Sequence, residues 1–277
     1  MEAAGSLTVG NAFLSTGSQI SIASVTGPVE VRMRDELTDT ATFQVVMSPL
    51  NNVAGIPTKA FGAELQTVFG AVLLLHRHPR TLIQLVVQTT SKPMTTTPTV
   101  NLSLNTGEVN ISAEQSNKAL RTARLRGPDI PFLASEMATS INASMLALID
   151  AGIPLRATIT ATSCAVLSVD DALCTRDIDP SQKSIWYVCN PNFSIVVDPS
   201  PEEEQRAISC HVYAFAFSGY DPLHSQHQDH QAQVELLYCA STGITNAKQR
   251  NDLYSIAREA ANEQFHHLRS VLESNAS

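Results

Sequence analysis

Charge is scarce in this sequence. Only 16% of its 277 residues are Asp, Glu, Lys or Arg, whereas typical soluble chains carry about 25%. The balance is acidic, because 26 Asp and Glu outnumber 18 Lys and Arg and leave a formal net charge of −8. Free-standing nucleic-acid-binding proteins usually carry a basic surface. Any contact with nucleic acid is therefore expected to be local or shared with other subunits, and partners are expected to cover much of the surface.

Long apolar runs and paired cysteines are also missing. No run of about 18 apolar residues exists, which predicts no membrane span, and the first residues lack the basic start of a secretory signal. The five cysteines are scattered without a C-x-x-C pair, which favours reduced thiols in a cytosolic or nuclear protein. Apolar residues nevertheless make up 43%, which excludes a disordered or collagen-like chain and suffices for a buried core.

Hydrophobic periodicity predicts a mixture of strands and helices. Apolar residues at period two indicate strands, and apolar stripes at spacings of three and four indicate helices. Predicted strands lie at 19–25, 43–47, 81–90, 157–167, 193–197, 207–217 and 234–240, and predicted helices at 59–76, 132–149 and 246–272. Gly27-Pro28 is expected to form a turn that ends the first strand, and Gly152 a left-handed helix cap. The order favours an α/β (mixed α+β) fold with one mixed sheet and helices on its faces.

Three segments depart from these patterns and are predicted to be surface insertions in a single domain spanning 1–277. They are the Thr/Pro-rich stretch at 91–128, a loop at 170–190, and a His/Gln-rich loop at 219–233. In the last of these, His224, His227 and His230 have a spacing that a metal site would use. Because a loop does not fix their geometry, a solvated surface is the preferred interpretation, and no metal is expected.

Other chemistry-bearing residues also have plain structural interpretations. Cys164 lies within a strand pattern and is interpreted as a core residue rather than a nucleophile. The run Glu202-Glu203-Glu204 is interpreted as a solvated turn, with Mg²⁺ binding as the alternative. The chain has neither the G-x-G-x-x-G nor the G-x-x-x-x-G-K-[ST] fingerprint, so no nucleotide cofactor is expected.

Several stretches, taken in order, resemble the RNase PH family. They are 10–17, similar to its opening hairpin; 24–32, with a G-P-x-E turn; 78–81; 141–154, with the stop D-A-G-I-P; and 196–199, before its catalytic turn. Within the family, V-T-G-P-V-E, I-N-A-x-x-L-A-L-x-D-A-G-I and V-D-P-x-x-E-E-E look most like subunits of the eukaryotic RNA exosome core. The resemblance implies one RNase PH-type domain that pairs with a second such chain, with three pairs forming a six-membered ring around an RNA channel.

The resemblance also implies that the catalytic positions are degenerate. Active members cleave RNA with inorganic phosphate, which requires cations to hold phosphate and a carboxylate to handle the proton and metal. Ile56 and Pro57 stand where active members have a basic pair before the first helix. Glu136 stands in the Gly-Ser element that opens the second helix and holds phosphate in active members, so its carboxylate is expected to repel a phosphate there. Glu202 matches the acidic residue of the catalytic turn, whereas Ile208 replaces an Asp on the next strand.

The implied function is that of a non-catalytic structural subunit supporting 3′-to-5′ RNA processing and degradation and rRNA maturation. The expected partners are another RNase PH-like subunit, exosome cap proteins, associated nucleases and RNA in the channel, in the nucleus, nucleolus and cytoplasm. The alternative is a phosphate- or metal-dependent ribonuclease acting as a homodimer.

Cations at two places are expected to meet RNA. Arg32 and Arg34 alternate along a segment taken to be extended, and Lys59 lies beside the degenerate phosphate position, so these three are expected to line the RNA path and contact its backbone. The alternative is that the arginines pair with Asp35, Glu36 or acidic groups of a neighbouring subunit. Arg77 and Arg80 form a similar pair suited to phosphate.

Overall fold

The fold is seen in a computed structural model. The residues that it describes are 8–16, 19–50, 53–91, 133–168, 187–190, 193–218 and 233–276. The strands in these ranges are β1 Thr8–Thr16, β2 Gln19–Glu30, β3 Thr42–Ser48, β4 Thr81–Ser91, β5 Thr158–Leu167, β6 Tyr187–Asn190, β7 Phe193–Val197, β8 Ser209–Ser218 and β9 Gln233–Gly243. The α-helices are α1 Ile56–Val72, α2 Ala134–Asp150, α3 Pro201–Arg206 and α4 Ala247–Ala276, and a 3₁₀ turn spans Leu75–Arg77.

Four strands form sheet 1, in the order β1-β2-β4-β3. Strands β3 and β4 run parallel and the other neighbours are antiparallel, so this sheet is mixed. Side chains along β2 and β4 alternate between buried and half-buried, as expected of a sheet with one covered face. The buried set, which includes Ala23, Val25 and Leu85, joins one apolar core with residues of α1 and α2.

The other five strands form sheet 2, in the order β6-β7-β5-β8-β9, and all neighbours are antiparallel. Nearly every residue of β5 is buried, because helices cover both faces of this sheet. Ile159 and Val212 belong to the core shared with α2, whereas Val166 and Phe215 pack with Leu253 of α4. The layers are therefore sheet 1, then α1 and α2, then sheet 2, then α4.

Small and polar residues allow α2 to fit between the two sheets. A Cβ at Gly10 of β1 would lie 2.3 Å from the Ala147 carbonyl oxygen of α2, so only glycine permits this approach. On the side facing sheet 2, the Asn142 amide donates to the Ala161 carbonyl at 2.8 Å and accepts from the Ala161 N–H at 2.7 Å. Gly152 follows the helix at φ 66°, as predicted for its cap.

The predicted fold class is confirmed, with strands and helices close to the predicted positions. Several details differ. The strands divide between two sheets, and Gly27-Pro28 does not end β2 but lies within it at a change of register. Helix α1 begins at Ile56, three residues before the predicted start. The periodicity also missed β1, which only the family resemblance covered, as part of a hairpin at 10–17. It missed β6 and α3 as well, which are too short to show a clear period.

The predicted insertions fall mostly outside the described residues. Their edges do not: Ser91 belongs to β4, 187–190 form β6, and Gln233 begins β9. Among the helices that are described, none is long and apolar enough to cross a membrane.

Candidate functional site

The N-terminus of α2 is closed by a carboxylate from elsewhere in the chain. The backbone N–H of Ser135, the second residue of this helix, donates to Oε1 of Glu204 at 2.7 Å. The helix has no side-chain cap of its own, because Leu133 stands at the N-cap position. Glu204 is only 7% exposed. A helix N-terminus carries partial positive charge and unpaired N–H groups, so this carboxylate supplies the missing acceptor and the matching charge.

Glu204 is positioned by the short helix α3. Ser200 caps this helix, since its hydroxyl accepts from the Glu203 N–H at 3.3 Å while Glu203 Oε2 accepts from the Ser200 N–H at 2.7 Å. Pro201 fits the first turn, where no N–H partner is needed. The prediction of a solvated turn is therefore wrong, because Glu203 is 1% exposed. The S-x-x-E pattern of residues 200–203 is a capping-box signal that would have indicated the helix.

A seam of polar side chains joins the start of α2 to sheet 1. Gln19 Nε2 donates to Ser135 Oγ at 2.7 Å, and Thr89 Oγ1 donates to Glu136 Oε1 at 3.0 Å. Glu136 was expected to face a phosphate site and repel the anion. It is instead 2% exposed and faces β4. Both acidic groups at this helix end are thus committed to internal hydrogen bonds.

The other positions predicted to be degenerate lie at the surface or outside the described side chains. Ile56 and Pro57 occupy the first turn of α1 rather than the segment before it, and Ile56 is 79% exposed. Ile208 is exposed just before β8, and its N–H donates to the Val166 carbonyl at 2.8 Å. Glu202 is the second residue of α3, and its side chain lies outside the description. The apolar residues therefore offer neither positive charge nor a carboxylate at these places.

Asp198, which the sequence analysis did not single out, holds the loop before α3. It has φ 48° and accepts from Ser163 Oγ at 3.2 Å and from Gln264 Nε2 at 2.9 Å. These bonds connect the end of β7 to β5 and α4. Burial, and secondarily the charge of Asp198, raises the pKa of the Cys164 thiol above its usual range. Cys164 is fully buried, as predicted for a core cysteine.

Three chain segments lie side by side at one end of the molecule. The Ala41 N–H donates to the Leu75 carbonyl at 3.0 Å, and the Arg80 N–H donates to the Leu37 carbonyl at 3.2 Å. The Arg156 N–H donates to the Val72 carbonyl at 2.9 Å. These bonds gather five exposed arginines, here named the arginine end: Arg32, Arg34, Arg77, Arg80 and Arg156.

The geometry of the arginine end differs from the prediction. Arg32 and Arg34 lie in a turn closed by a 2.8 Å bond from the Asp35 N–H to the Arg32 carbonyl, so the expected extended segment is wrong. Arg34 pairs with Asp35 at 3.5 Å and Arg80 with Glu36 at 3.4 Å, all at the surface. Exposed pairs of this kind are worth about 0–1 kcal/mol and leave the guanidinium groups accessible.

Lys59 does not join the arginine end. Helix α1 runs antiparallel to β3, since the Gln66 side chain donates to the Phe43 carbonyl while Gly62 lies beside Met47. Lys59 therefore lies beyond the last residues of β3, whereas Thr42 at its start donates to the Asp35 carbonyl. The two places are separated by the seven residues of β3, or about 20 Å at about 3.3 Å per residue.

The outer face of sheet 1, opposite α1 and α2, has no described helix over it. The residues pointing to this side are named the outer face: Val9, Asn11, Phe13, Ile22, Ser24, Thr26, Gln44, Val46, Ser48, Gln84, Val86 and Gln88. Cross-strand pairing places Phe13 beside Ile22, and Val46 beside Val86. Phe13 is 63% exposed. None of these residues is charged, so the face is neutral, with apolar side chains lying among uncharged polar ones.

Two neighbouring titratable side chains of β8 in sheet 2, those of Cys210 and His211, have shifted pKa values. Burial lowers the pKa of His211, whose Nε2 lies 3.1 Å from Ser209 Oγ and whose ring stacks on Tyr213. Burial, with a smaller contribution from Glu204, raises the pKa of Cys210 to about 12. Within the described ranges no group of three or more His, Cys, Asp or Glu is placed to hold a metal. His224, His227 and His230 lie outside those ranges.

Comparison with protein families matches the chain to domain 1 of the 3′ exoribonuclease family, RNase_PH, over residues 4–154. The chain belongs to this family. The family resemblance read from the sequence motifs is thereby confirmed.

The chain is similar to two named proteins and to one solved structure. The chain is 24% identical over 265 residues to the "Exosome complex component RRP46" of Saccharomyces cerevisiae, covering 96% of this chain and 90% of that protein. It is 35% identical over 72 residues to "Exosome complex component rrp46" of Schizosaccharomyces pombe, covering 26% of this chain and 32% of that protein. The crystal structure of rice (Oryza sativa) Rrp46 has the same fold, with a TM-score of 0.59, 17% identity and 98% coverage of both chains.

Proposed function

We propose that this chain is a non-catalytic structural subunit of an RNA exosome ring, of the Rrp46 type. In this role it supports 3′-to-5′ RNA processing and degradation and the maturation of rRNA. The observation that carries the proposal is the Glu204 carboxylate on the Ser135 N–H, since the helix end best suited to phosphate already holds an anion. We name the exosome as the complex because both fungal relatives are named exosome complex components.

The degenerate positions support the absence of catalysis. Phosphorolysis brings an anionic nucleophile to an anionic backbone, so its transition state depends on positive groups. Ile56 and Pro57 supply none at the start of α1. The loss of one such donor typically costs about 10²–10³ in rate, and two lost donors would reduce turnover by several powers of ten.

The outer face of sheet 1 supports pairing with a second RNase PH-like chain. It is uncharged, and the apolar pairs Phe13–Ile22 and Val46–Val86 lie on it. Stable protein interfaces typically bury more than about 1,200 Å² in total, and we expect the pairing to bury at least this area. A low-charge surface that meets another subunit also explains why the chain carries so few charged residues.

The arginine end supports contact with the RNA backbone. Guanidinium groups suit phosphate oxygens, and backbone contacts position RNA without reading its sequence. In this proposal Arg32 and Arg34 act together with Arg77, Arg80 and Arg156, which the fold places at the same end. Lys59 remains a predicted contact, but an RNA strand that reaches it as well must run about 20 Å along the molecule.

The function is tested by co-expressing the chain with the other ring subunits and purifying the assembly through a tag on one of them. We expect this chain in stoichiometric amount. We also expect no release of nucleoside diphosphates when it is incubated alone with RNA and phosphate, and no RNA cleavage with Mg²⁺. Activity above that of a Glu202→Ala variant would support the alternative, a ribonuclease acting as a homodimer.

Assembly has its own matched pair of variants. Val86→Asp places one negative charge on the outer face. Asn262→Asp places one at an exposed position of helix α4, on the far side of sheet 2. We expect the first to be lost from the purified ring and the second to be retained. Equal retention of both variants would contradict pairing through the outer face.

The wider partners follow from the same proposal. A ring subunit would co-purify with exosome cap proteins and associated nucleases, and it would be found in the nucleus, nucleolus and cytoplasm. Tagging the chain at its own locus, followed by affinity purification and imaging, tests both expectations. A single compartment or a preparation free of cap proteins would contradict them.

A further inference from the structure

The N-terminus of α2 has the features of an anion site that is already filled. Helix α2 is 17 residues long, and a helix of this length presents roughly half a positive charge at its first turn. The Ser135 N–H points to Glu204 Oε1 at 2.7 Å, and both groups are buried. Glu204 is 69 residues away in sequence, so the fold, rather than a local cap, brings this carboxylate to the helix end.

The surroundings of the helix end are polar and closed. Gln19 is 3% exposed and holds Ser135 Oγ through its Nε2, while its own Oε1 has no hydrogen-bond partner in the described part of the chain. Glu136, next in the helix, bonds Thr89. Gln19 Oε1 and the Glu136 carboxylate are acceptors and do not favour an anion, so the attraction for an anion at this place comes from the Ser135 N–H and the helix end. The Glu204 side chain occupies this place.

We propose that Glu204 is the resident anion of α2 and that it excludes small free anions, inorganic phosphate among them, from the Ser135 N–H. The inference deepens the non-catalytic function proposed above, because it names the group that keeps phosphate out. Removing the carboxylate should open a site for an anion of similar size. Glu204→Ala deletes the terminal CH₂ and carboxylate, which acetate matches in size and charge, and phosphate offers more oxygens in the same place.

The inference is tested with the full-length chain by thermal unfolding in acetate, phosphate and chloride at equal ionic strength. For the wild type we expect no stabilisation by acetate or phosphate beyond that of chloride. For Glu204→Ala we expect a melting temperature several degrees lower, with at least half of the loss recovered by acetate or phosphate in a saturable manner. Glu204→Gln keeps the side chain in place and should show no recovery.

The matched control is Glu202→Ala, which removes one charge from the same acidic run. Equal responses of Glu202→Ala and Glu204→Ala to acetate and phosphate would overturn the inference. So would a wild type that phosphate stabilises as strongly as it does Glu204→Ala. If Glu204→Ala is unfolded in chloride, its refolding yield in acetate is compared with that in chloride, and equal yields count against the site.

The two proposals fail in different ways. Absence of anion rescue, together with absence of nuclease activity, overturns only the role of Glu204. Release of nucleoside diphosphates by the wild type overturns the non-catalytic function, whatever the variants show.

Discussion

Sheet 1 and sheet 2 differ in how much of their surface is buried within the chain. In sheet 1 the strands alternate between buried and half-buried residues, and the uncharged outer face has no described helix over it. In sheet 2 strand β5 is buried along nearly its whole length, because α2 and α4 cover both faces. Sheet 2 therefore has helices of the same chain over both faces, whereas sheet 1 has one face that no described helix covers, and this is the face that we propose to meet a partner.

Helix α2 is also attached to the two sheets by different means. Asn142 clamps the backbone of β5 through two hydrogen bonds of 2.8 and 2.7 Å. Towards sheet 1 the buried bonds join side chains, as between Ser21 and Ser140 at 3.3 Å. The backbone N–H of Asn11 in β1 also donates to Asp150 Oδ2 at 2.9 Å, but at the exposed end of the helix. Backbone bonds made by a buried amide are costly to lose because they leave unpaired groups behind. Sheet 2 and α2 are therefore expected to behave as the firmer unit.

A Val→Asp substitution should destabilise the chain far more in sheet 2 than on the outer face of sheet 1, and this is the largest difference that we expect between the two sheets. Val212 faces α2 and is 1% exposed, so Val212→Asp buries a carboxylate without a partner and should cost more than about 4 kcal/mol. Val86→Asp on the outer face should cost about 1 kcal/mol or less. Urea unfolding of the isolated chain measures both. Similar losses would show that the outer face is covered in the isolated chain.

Loss of the Asn142 clamp should have the next largest effect. Asn142→Ala removes both bonds to Ala161 and should lower the free energy of unfolding by about 2–4 kcal/mol. Ser140→Ala, its counterpart towards sheet 1, should cost about 1 kcal/mol. Chemical denaturation of the two variants gives their free energies of unfolding. A larger loss for Ser140→Ala than for Asn142→Ala would show that α2 is attached more firmly to sheet 1 than to sheet 2.

The pH dependence of stability should arise partly in sheet 2. Burial lowers the pKa of His211 below its ordinary value of 6.5, so the unfolded chain binds a proton that the folded chain excludes. The contribution of His211 is therefore complete above pH 6.5 and is lost as the pH falls through the lowered folded pKa. His211→Phe, which retains an aromatic ring beside Tyr213, should flatten the fall in stability below pH 6.5. If the melting temperatures of the wild type and of His211→Phe fall by the same amount between pH 7.5 and pH 5, the prediction is contradicted.

The arginine end should contribute least to the free energy of unfolding. Arg32→Ala with Arg34→Ala should change the free energy of unfolding by less than about 0.5 kcal/mol, because these side chains are exposed. In the assembled ring the same double change should weaken RNA binding and lower its salt dependence by about two counterions at most. Lys59→Ala tests the distant contact separately. Reduced ring assembly with unchanged RNA affinity would favour pairing of the arginines with acidic groups of a neighbour.

Much of the architecture could be predicted from local patterns. The period-two alternation of Ile83, Leu85 and Val87 indicated a half-covered strand, and that strand is β4. The apolar stripe from Phe61 to Val72 indicated α1. Such patterns are readable because the side-chain period reports which face meets the core.

The candidate site was less accessible to prediction. Glu204 was interpreted as part of a solvated turn, although Ser200 and Glu203 carried a capping signal, and the N–H that Glu204 accepts from is 69 residues away. Arg156 joined the arginine end only through a backbone bond to Val72. Arg32, Arg34 and Lys59 could not be placed relative to one another, because spacing along one segment says nothing about the distance to another.

The sequence by itself determined the periods of the strands and helices and the family motifs, and it has uncharged Ile56 and Pro57 where the resemblance predicts a basic pair in active members. Each of these depends only on residue identity and on neighbours within a few positions. The tertiary structure alone decided which sheet has an uncovered face, which arginines share one end, and that Glu204 closes α2. Those outcomes depend on contacts between residues far apart in sequence, whose geometry is set when the layers pack and their buried polar groups find partners.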